Sequence, residues 1–220
     1  MIHLHNIPYS RSFRIMWLLE EMGLAYNLTN YSITDGSLRT KEYLSISPAG
    51  RVPALEIDGN VIFENPAITE FLCETYPETE LGRLASDKER IAFLQWLSFS
   101  ETQASTIASL NLQMVLLRPP AKASPVVLKL EVARLRASVG VVERALKDQE
   151  YLLPSGFSAA ATMMGINLFA IPYFVDLEPF PKVRAYGERI AARPAFQAAR
   201  ARDGKQEFYD QDFYPVPSAS

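Results

Sequence analysis

The stretch Ser47-Pro48-Ala49-Gly50-Arg51-Val52-Pro53-Ala54-Leu55-Glu56-Ile57-Asp58-Gly59-Asn60-Val61-Ile62-Phe63-Glu64-Asn65-Pro66 decides how this chain reads. Asp58-Gly59 stands between the apolar pairs Leu55/Ile57 and Val61/Phe63. A two-residue turn with positive φ at both central positions favours that dipeptide, so a β-hairpin is expected. Asn65 followed by Pro66 supplies a helix start. An Asn side chain caps free backbone N–H groups, and proline at the first helical position gives up no needed donor. Glu64 and Asn65 then stand beside the positive end of a helix dipole, where carboxylates bind. Val52 precedes Pro53 and is pushed into an extended conformation; with a cis bond it also turns outward. There its backbone can pair with a peptide-like ligand as an added strand would. One segment thus offers a backbone clamp and a carboxylate clamp, and the ligand that suits both is a small acidic peptide.

Composition narrows the surroundings. The chain has 220 residues, 48% of them hydrophobic, which is enough for one or two packed domains. Its formal charge of -3, from 22 basic and 25 acidic residues without long like-charge blocks, gives no footing for nucleic acid or an anionic membrane. Cys73 is the only cysteine, so no intrachain disulfide forms and a reducing, cytoplasmic setting is expected. Two histidines and one cysteine are too few for a structural zinc site. Ile2-His3-Leu4-His5 follows the first residue with no basic-plus-apolar leader. Tyr151 to Val175 carries no charge, but breakers at both ends leave a helical part, Ser158 to Ile171, too short to span a bilayer. A helix buried in a helical domain is expected there.

Along the chain, Ile2-His3-Leu4-His5 alternates as a half-buried strand does. His3 and His5 share a face and supply half of a metal site. With no third ligand in view they read as solvent-facing strand residues, and no metal is expected. A helix over Ser12–Met22 stops at Gly23, Tyr26–Tyr31 reads as a second strand, and Thr34–Leu44 holds a short helix. The hairpin and a helix over Pro66–Tyr76 follow. That order, βαβ, short helix, ββα, is a thioredoxin-like α/β arrangement over 1–77. Where redox members carry two cysteines, this chain has Tyr9-Ser10-Arg11-Ser12, which excludes dithiol exchange. A linker over 78–86 leads to an all-helical domain over 87–220. In it Asp87 caps a helix running to Leu117, Ser124-Pro125 opens another, the buried helix starts at Ser158, and two shorter helices cover 182–192 and 194–201. Residues 205–220 form a tail that lies over the surface or frays.

At this point the chain resembles the cytosolic glutathione transferases over nearly its whole length. Residues 47–55 followed by Phe63-Glu64-Asn65-Pro66-Ala67-Ile68 are similar to that family's glutathione-binding signature. Residues 10–21 resemble the first helix of bacterial and fungal members. Phe157-Ser158-Ala159-Ala160 and Arg193-Pro194-Ala195-Phe196 resemble landmarks of the helical domain. The resemblance implies glutathione as cosubstrate, a hydrophobic electrophile as second substrate and a cytosolic homodimer. It implies that Ser10 donates to the glutathione thiolate, with Tyr9 beside it as a rival donor. Val52 then pairs with the cysteinyl unit, Pro53 is the cis-proline, Arg51 lies near the glycyl carboxylate, and Glu64 and Asn65 hold the γ-glutamyl end. Two departures stand out. Asn65 occupies a place usually held by Ser or Thr, and its amide can still donate to a carboxylate. Ala161 occupies the acidic place of a capping box begun by Ser158, so the return hydrogen bond is missing.

Each candidate has a plainer alternative. Ser10 on position alone reads as a helix cap. With the resemblance it becomes the hydroxyl that lowers a thiol pKa of about 8.5 by roughly one to two units. Cys73 reads as a buried, inert thiol, and Glu56 as a solvated strand residue. Glu101 approaches the glutathione ammonium, across a dimer, or lies on a solvated helix face. Helical spacing puts Leu110, Met114 and Leu117, with tail aromatics such as Phe208 or Tyr214, around the second substrate. A glutathione-dependent ether lyase, dehalogenase or isomerase shares the same first site, and a non-catalytic glutathione-binding or assembly module keeps only the fold.

Overall fold

The computed structural model describes residues 1–206 and 208–216; Glu207 and residues 217–220, the end of the expected tail, lie outside the described residues. Strands β1 (Ile2–Asn6), β2 (Tyr26–Asn30), β3 (Ala54–Ile57) and β4 (Asn60–Phe63) form one sheet in the order β2-β1-β3-β4. β1 and β2 are parallel, joined through helix α1 (Phe13–Glu21), whereas β1 with β3 and β3 with β4 are antiparallel. Asp58 and Gly59 take φ of 49° and 82°, the pair of positive values that lets a tight turn match strand twist. The sheet and its helices, α2 (Lys41–Ile46) and α3 (Asn65–Thr75), make the thioredoxin-like unit.

The start of α3 differs from expectation. Asn65 is the first helical residue and Pro66 the second, while Glu64 takes the cap position with φ of 75° and no side-chain capping bond. β4 ends at Phe63, so the backbone must pass from extended to helical across one residue. Glu64 makes that change in a region that non-glycine residues seldom occupy.

The histidines also depart from expectation. His5 is 2% exposed, its ring set against Tyr31 and Tyr43. His3 stacks on it with ring centroids 4.6 Å apart. Glu56, opposite His3 on β3, accepts a hydrogen bond from His5 and so is not merely solvated. The tyrosines from the end of β2 and from α2 cover a face that alternation alone leaves open.

Everything after the sheet is helical. The elements are α4 (Arg90–Asn111), which runs on as a π-helical segment over Leu112–Leu116, α5 (Pro125–Ala145), α6 (Ala159–Ala170), α7 (Pro181–Ala191) and α8 (Pro194–Asp203). Ser124 caps α5, accepting from the Val127 N–H. Asp87 does not cap α4. Its carboxylate accepts the Leu84 N–H one turn earlier, and the helix begins at Arg90. Among the described residues, no helix is long and apolar enough to cross a membrane.

α1 carries the junction between the two units. Every residue from Phe13 to Leu19 is buried, because α1 lies between the sheet on one side and α6 and α8 on the other. Trp17 meets Phe196 edge-on at 5.1 Å, and its indole N–H donates to Glu21, which Arg193 clamps with two N–H bonds. The Arg193-Pro194-Ala195-Phe196 segment is thus a domain lock. α6 comes so close that a Cβ on Gly165 would stand 2.5 Å from the Trp17 ring. Ser158 makes no side-chain cap for α6; the Ala159 N–H donates instead to the Leu81 carbonyl at 2.9 Å, across the interdomain connection.

Candidate functional site

Strand register gathers the site at one sheet edge. His5 stands opposite Ala54, and Ala54 opposite Phe63. The segment leaving β1 (Asn6–Ser12), the Val52-Pro53 peptide entering β3 and the Glu64-Asn65 junction leaving β4 therefore emerge side by side. The Val52–Pro53 bond is cis. The Arg51 carbonyl ahead of it accepts from the Tyr43 hydroxyl at 2.7 Å and the Ser47 hydroxyl at 2.8 Å, which fixes the approach to Val52 from inside the fold. Val52 is half-buried and Arg51 exposed.

Two residues at this edge hold left-handed backbone, Tyr9 with φ of 58° and Glu64 with φ of 75°. Such conformations persist only where the surroundings enforce them, and they cluster at ligand sites. For Tyr9 the enforcing group is visible. Asp203, fully buried at the end of α8, accepts the Tyr9 N–H at 3.0 Å, and its other partners are Asn6 and Arg200. The Arg200 guanidinium lies 3.8 Å over the Tyr9 ring. Asn65 is 3% exposed, with its amide oxygen buried and unpartnered.

Ser10 follows Tyr9 and is half-buried. Its Oγ lies 2.7 Å from the Ser12 Oγ and accepts the Ser12 N–H at 3.2 Å. The network sets the direction of the protons. Asn6 Nδ2 donates to Asn30 and to Asp203, which turns Asn6 Oδ1 toward Ser12, and the Ser12 hydroxyl donates to it. Ser12 has spent its one proton, so Ser10 donates to Ser12. A charged acceptor placed beside Ser10 would compete for that proton, because bonds to ions are roughly twice as strong as neutral ones.

Beyond Ser10 opens a cleft of about 180 Å³ between Tyr9, Ser10 and Arg11 on one wall and α4 with α6 on the other. That is close to the size of an engineered cavity that holds one benzene ring. Ile107, Ala108, Asn111, Val115 and Leu116 line the α4 side, and Phe208 and Tyr209 contribute from the tail. The expected trio Leu110, Met114 and Leu117 is not among the lining residues, and Leu110 is fully buried core. The π-helical turn over Leu112–Leu116 takes up more residues per turn than an α-helix, so the facing positions slip away from regular spacing. Tyr214 packs inward at 5% exposure against Phe174. The described part of the tail lies against the helical unit, with Tyr209 stacked on Tyr173 at 3.8 Å.

Glu101 does not stand free on a solvated helix face. It pairs with Arg11 at 2.9 Å and with the fully buried Arg14, joining α1 to α4. Arg14 also donates to Asn167 at 2.8 Å, and Asn167 in turn donates to Gln103. Burial, ahead of the raising influence of Glu101, brings the Arg14 pKa down to about 10. Cys73 is buried, and that burial pushes its thiol up to about 12, the inert state expected of it. Asn6, Asn111, Arg200 and Asp203 carried no local signal; Asp203 lies 194 residues from the backbone it holds.

A thioredoxin-like sheet joined to a helical unit, with a cis-proline and a hydroxyl beside an apolar cleft, is the arrangement the structure presents. Comparison with known proteins is consistent with that arrangement. Residues 1–74 match the family model "Glutathione S-transferase, N-terminal domain". "Glutathione S-transferase 3" of Zea mays is 27% identical over 207 residues, covering 89% of this chain and 91% of the relative. The structure described as a ternary complex of BphK, a bacterial GST, superposes with a TM-score of 0.82 at 27% identity, covering 92% and 100% of the two chains. A sphingomonad glutathione S-transferase complexed with glutathione shares the fold at a TM-score of 0.79, covering 91% and 98%, with 23% identity. Residues 1–74 thus match a glutathione S-transferase N-terminal domain, and over most of its length the chain is similar to glutathione S-transferases at about 27% identity.

Proposed function

We propose that this protein binds glutathione along the sheet edge and that the glutathione thiolate attacks a hydrophobic electrophile held in the adjoining cleft. Val52 offers its backbone to the cysteinyl unit, Arg51 its charge to the glycyl carboxylate, and Glu64 with Asn65 the γ-glutamyl end. The unpartnered Asn65 oxygen fits this role, because a buried acceptor without a partner costs about 1–3 kcal/mol until a donor such as an ammonium arrives. The sulfur then lies against Ser10. The observation that carries the reading is the position of Ser10, on the shared sheet edge and in the cleft lining at once.

In the reaction, Ser10 turns its O–H from Ser12 toward the sulfur, and the Ser12 proton swings from Asn6 onto Ser10 Oγ. The thiol gives its proton to solvent, and the stabilised thiolate forms a carbon–sulfur bond as the leaving group departs with its electron pair, or as an activated double bond takes up the pair and then a proton from water. Tyr9 shapes the cleft wall with its ring under Arg200. The setting we propose is cytoplasmic, the role detoxification, and the assembly a homodimer. An apolar groove over Leu94, Trp96, Phe99 and Val141 on the outer faces of α4 and α5 supports the dimer, which sedimentation would show as twice the mass of one chain.

Calorimetry with glutathione and ultraviolet titration of the bound thiol test the proposal. Ser10→Ala should raise the bound thiol by about one to two pKa units, toward a free thiol near 8.5. Undetectable glutathione binding would overturn the reading as a whole, whereas an unchanged titration in Ser10→Ala would overturn the role of Ser10. A substrate panel of aryl halides, aryl ethers and activated alkenes then sorts conjugation from lyase, dehalogenase or isomerase chemistry.

A further inference from the structure

His3, His5 and Glu56 point three ligand atoms at one spot on the sheet face opposite α1, and none of them lines the cleft. His3 Nδ1 lies 3.4 Å and His5 Nε2 2.8 Å from the same Glu56 oxygen, and all three ligand atoms fall within 4.8 Å of one another. Zinc held by imidazole nitrogens and carboxylate at about 2.0–2.2 Å in a tetrahedron places its ligand atoms about 3.3 Å apart. The two short separations bracket that value.

The outer ends of both rings are already anchored. His3 Nε2 meets the Thr29 hydroxyl at 2.8 Å, and His5 Nδ1 meets the Tyr31 hydroxyl at 2.9 Å. Metal-binding histidines use such a bond to fix tautomer and ring direction. Thr29 and Tyr31 can each accept the outer N–H, which leaves both inner nitrogens as lone pairs. Without a cation the His5 Nε2–H donates to Glu56; a cation favours the tautomer pair with both lone pairs turned inward. Among the described residues, the two imidazoles are the only basic partners of Glu56, and its half-exposed side chain keeps one side of the spot open to water.

We propose that His3, His5 and Glu56 form a divalent transition-metal site, taking zinc with one water in the fourth position. A nitrogen-and-oxygen donor set of this size suits zinc and excludes calcium or magnesium, which require six or more oxygen ligands or a mostly hydrated shell. On binding, His5 changes tautomer, its Nε2 proton passing to solvent as Nδ1 takes one up and donates to Tyr31, and the metal replaces the hydrogen bond to Glu56.

The test uses the untagged full chain, freed of metal by chelator and titrated with zinc chloride against a chromophoric zinc indicator. We expect one zinc per chain. Glu56→Gln and His3→Ala, both at half-exposed positions, should each weaken binding at least about tenfold. Cobalt chloride should give visible bands without a sulfur charge-transfer band. Melting curves report whether each variant folds; if Glu56→Gln does not, His3→Ala decides. Absence of one-to-one binding, equal affinity in a folded His3→Ala variant, or a sulfur–cobalt band implicating Cys73 would each overturn the proposal.

Discussion

The carboxylate of Asp203, the last residue of α8, accepts the backbone N–H of Tyr9 at 3.0 Å. The C-terminal end of the last helix thereby holds the positive-φ residue that aims Ser10. Burial, ahead of the lowering influences of Tyr9, Asn6 and Arg200, pushes the Asp203 carboxyl above its ordinary 3.8. Above pH 3.8 the folded protein keeps a proton that the unfolded chain has lost. The contribution of this group to stability is therefore largest at low pH and declines as pH rises through the folded value. Asp203→Asn should remove that decline from urea-unfolding free energies measured across the acid range. At neutral pH its amide offers one acceptor oxygen where two now accept from Asn6, Tyr9 and Arg200, and the N–H left facing a buried donor should cost about 1–3 kcal/mol.

Ser12→Ala separates proton direction from the hydroxyl itself. Ser10 loses the partner that takes its proton at rest, while Asn6 Oδ1 loses its donor. Stability should fall by about 1–3 kcal/mol for the unsatisfied buried oxygen. The thiol of bound glutathione should shift less than in Ser10→Ala. Equal shifts in the two variants would show that Ser12, and not Ser10, sets the thiolate.

Glu101→Ala strands Arg14, which is fully buried. Removing one partner of a buried pair costs about 3–5 kcal/mol, readable in denaturant unfolding. Replacing both at once, Arg14→Met with Glu101→Leu, should cost distinctly less, since no charge is left unpaired. A double replacement as costly as Glu101→Ala would refute this account of the network.

Much of the thioredoxin-like unit was legible because its signals are local. Asp58-Gly59 fixes a turn within two residues, and Val52-Pro53 with Glu64-Asn65 lie one hairpin apart. The edge on which Ser10, Val52 and Glu64 meet follows from strand register alone. What stayed hidden depends on distance or on broken periodicity. Tyr9 and Asp203 are 194 residues apart, so nothing beside either one announces the other. The π-helical turn at Leu112–Leu116 shifted the cleft lining off the spacing that suggested Leu110, Met114 and Leu117. His5 read as exposed because alternation along one strand cannot show that Tyr31 and Tyr43 cover it.

Gly165→Ala tests the seam between α1 and α6. The new methyl group would meet the Trp17 ring at 2.5 Å, and crowding of this kind costs about 1–3 kcal/mol. Trp17 emission should change along with the midpoint. Denaturant curves followed by fluorescence and by far-ultraviolet dichroism should still coincide, as one cooperative transition; divergence would show that the two units unfold separately.

Phe208→Ala should alter kinetics toward the electrophile while leaving the affinity for glutathione unchanged, since Phe208 reaches the cleft from the tail and not from the sheet edge. Equal loss for both substrates would contradict that separation.

The aromatic tail over the helical unit also has a consequence for how such a protein diversifies. One wall of the cleft is written in residues 9–11 and part of its cover in residues 208 and 209, so its shape draws on two stretches nearly the whole described chain apart. Exchange of the short segment around Phe208 and Tyr209 can therefore reshape the cleft while the hairpin of β3 and β4 passes unchanged to each descendant.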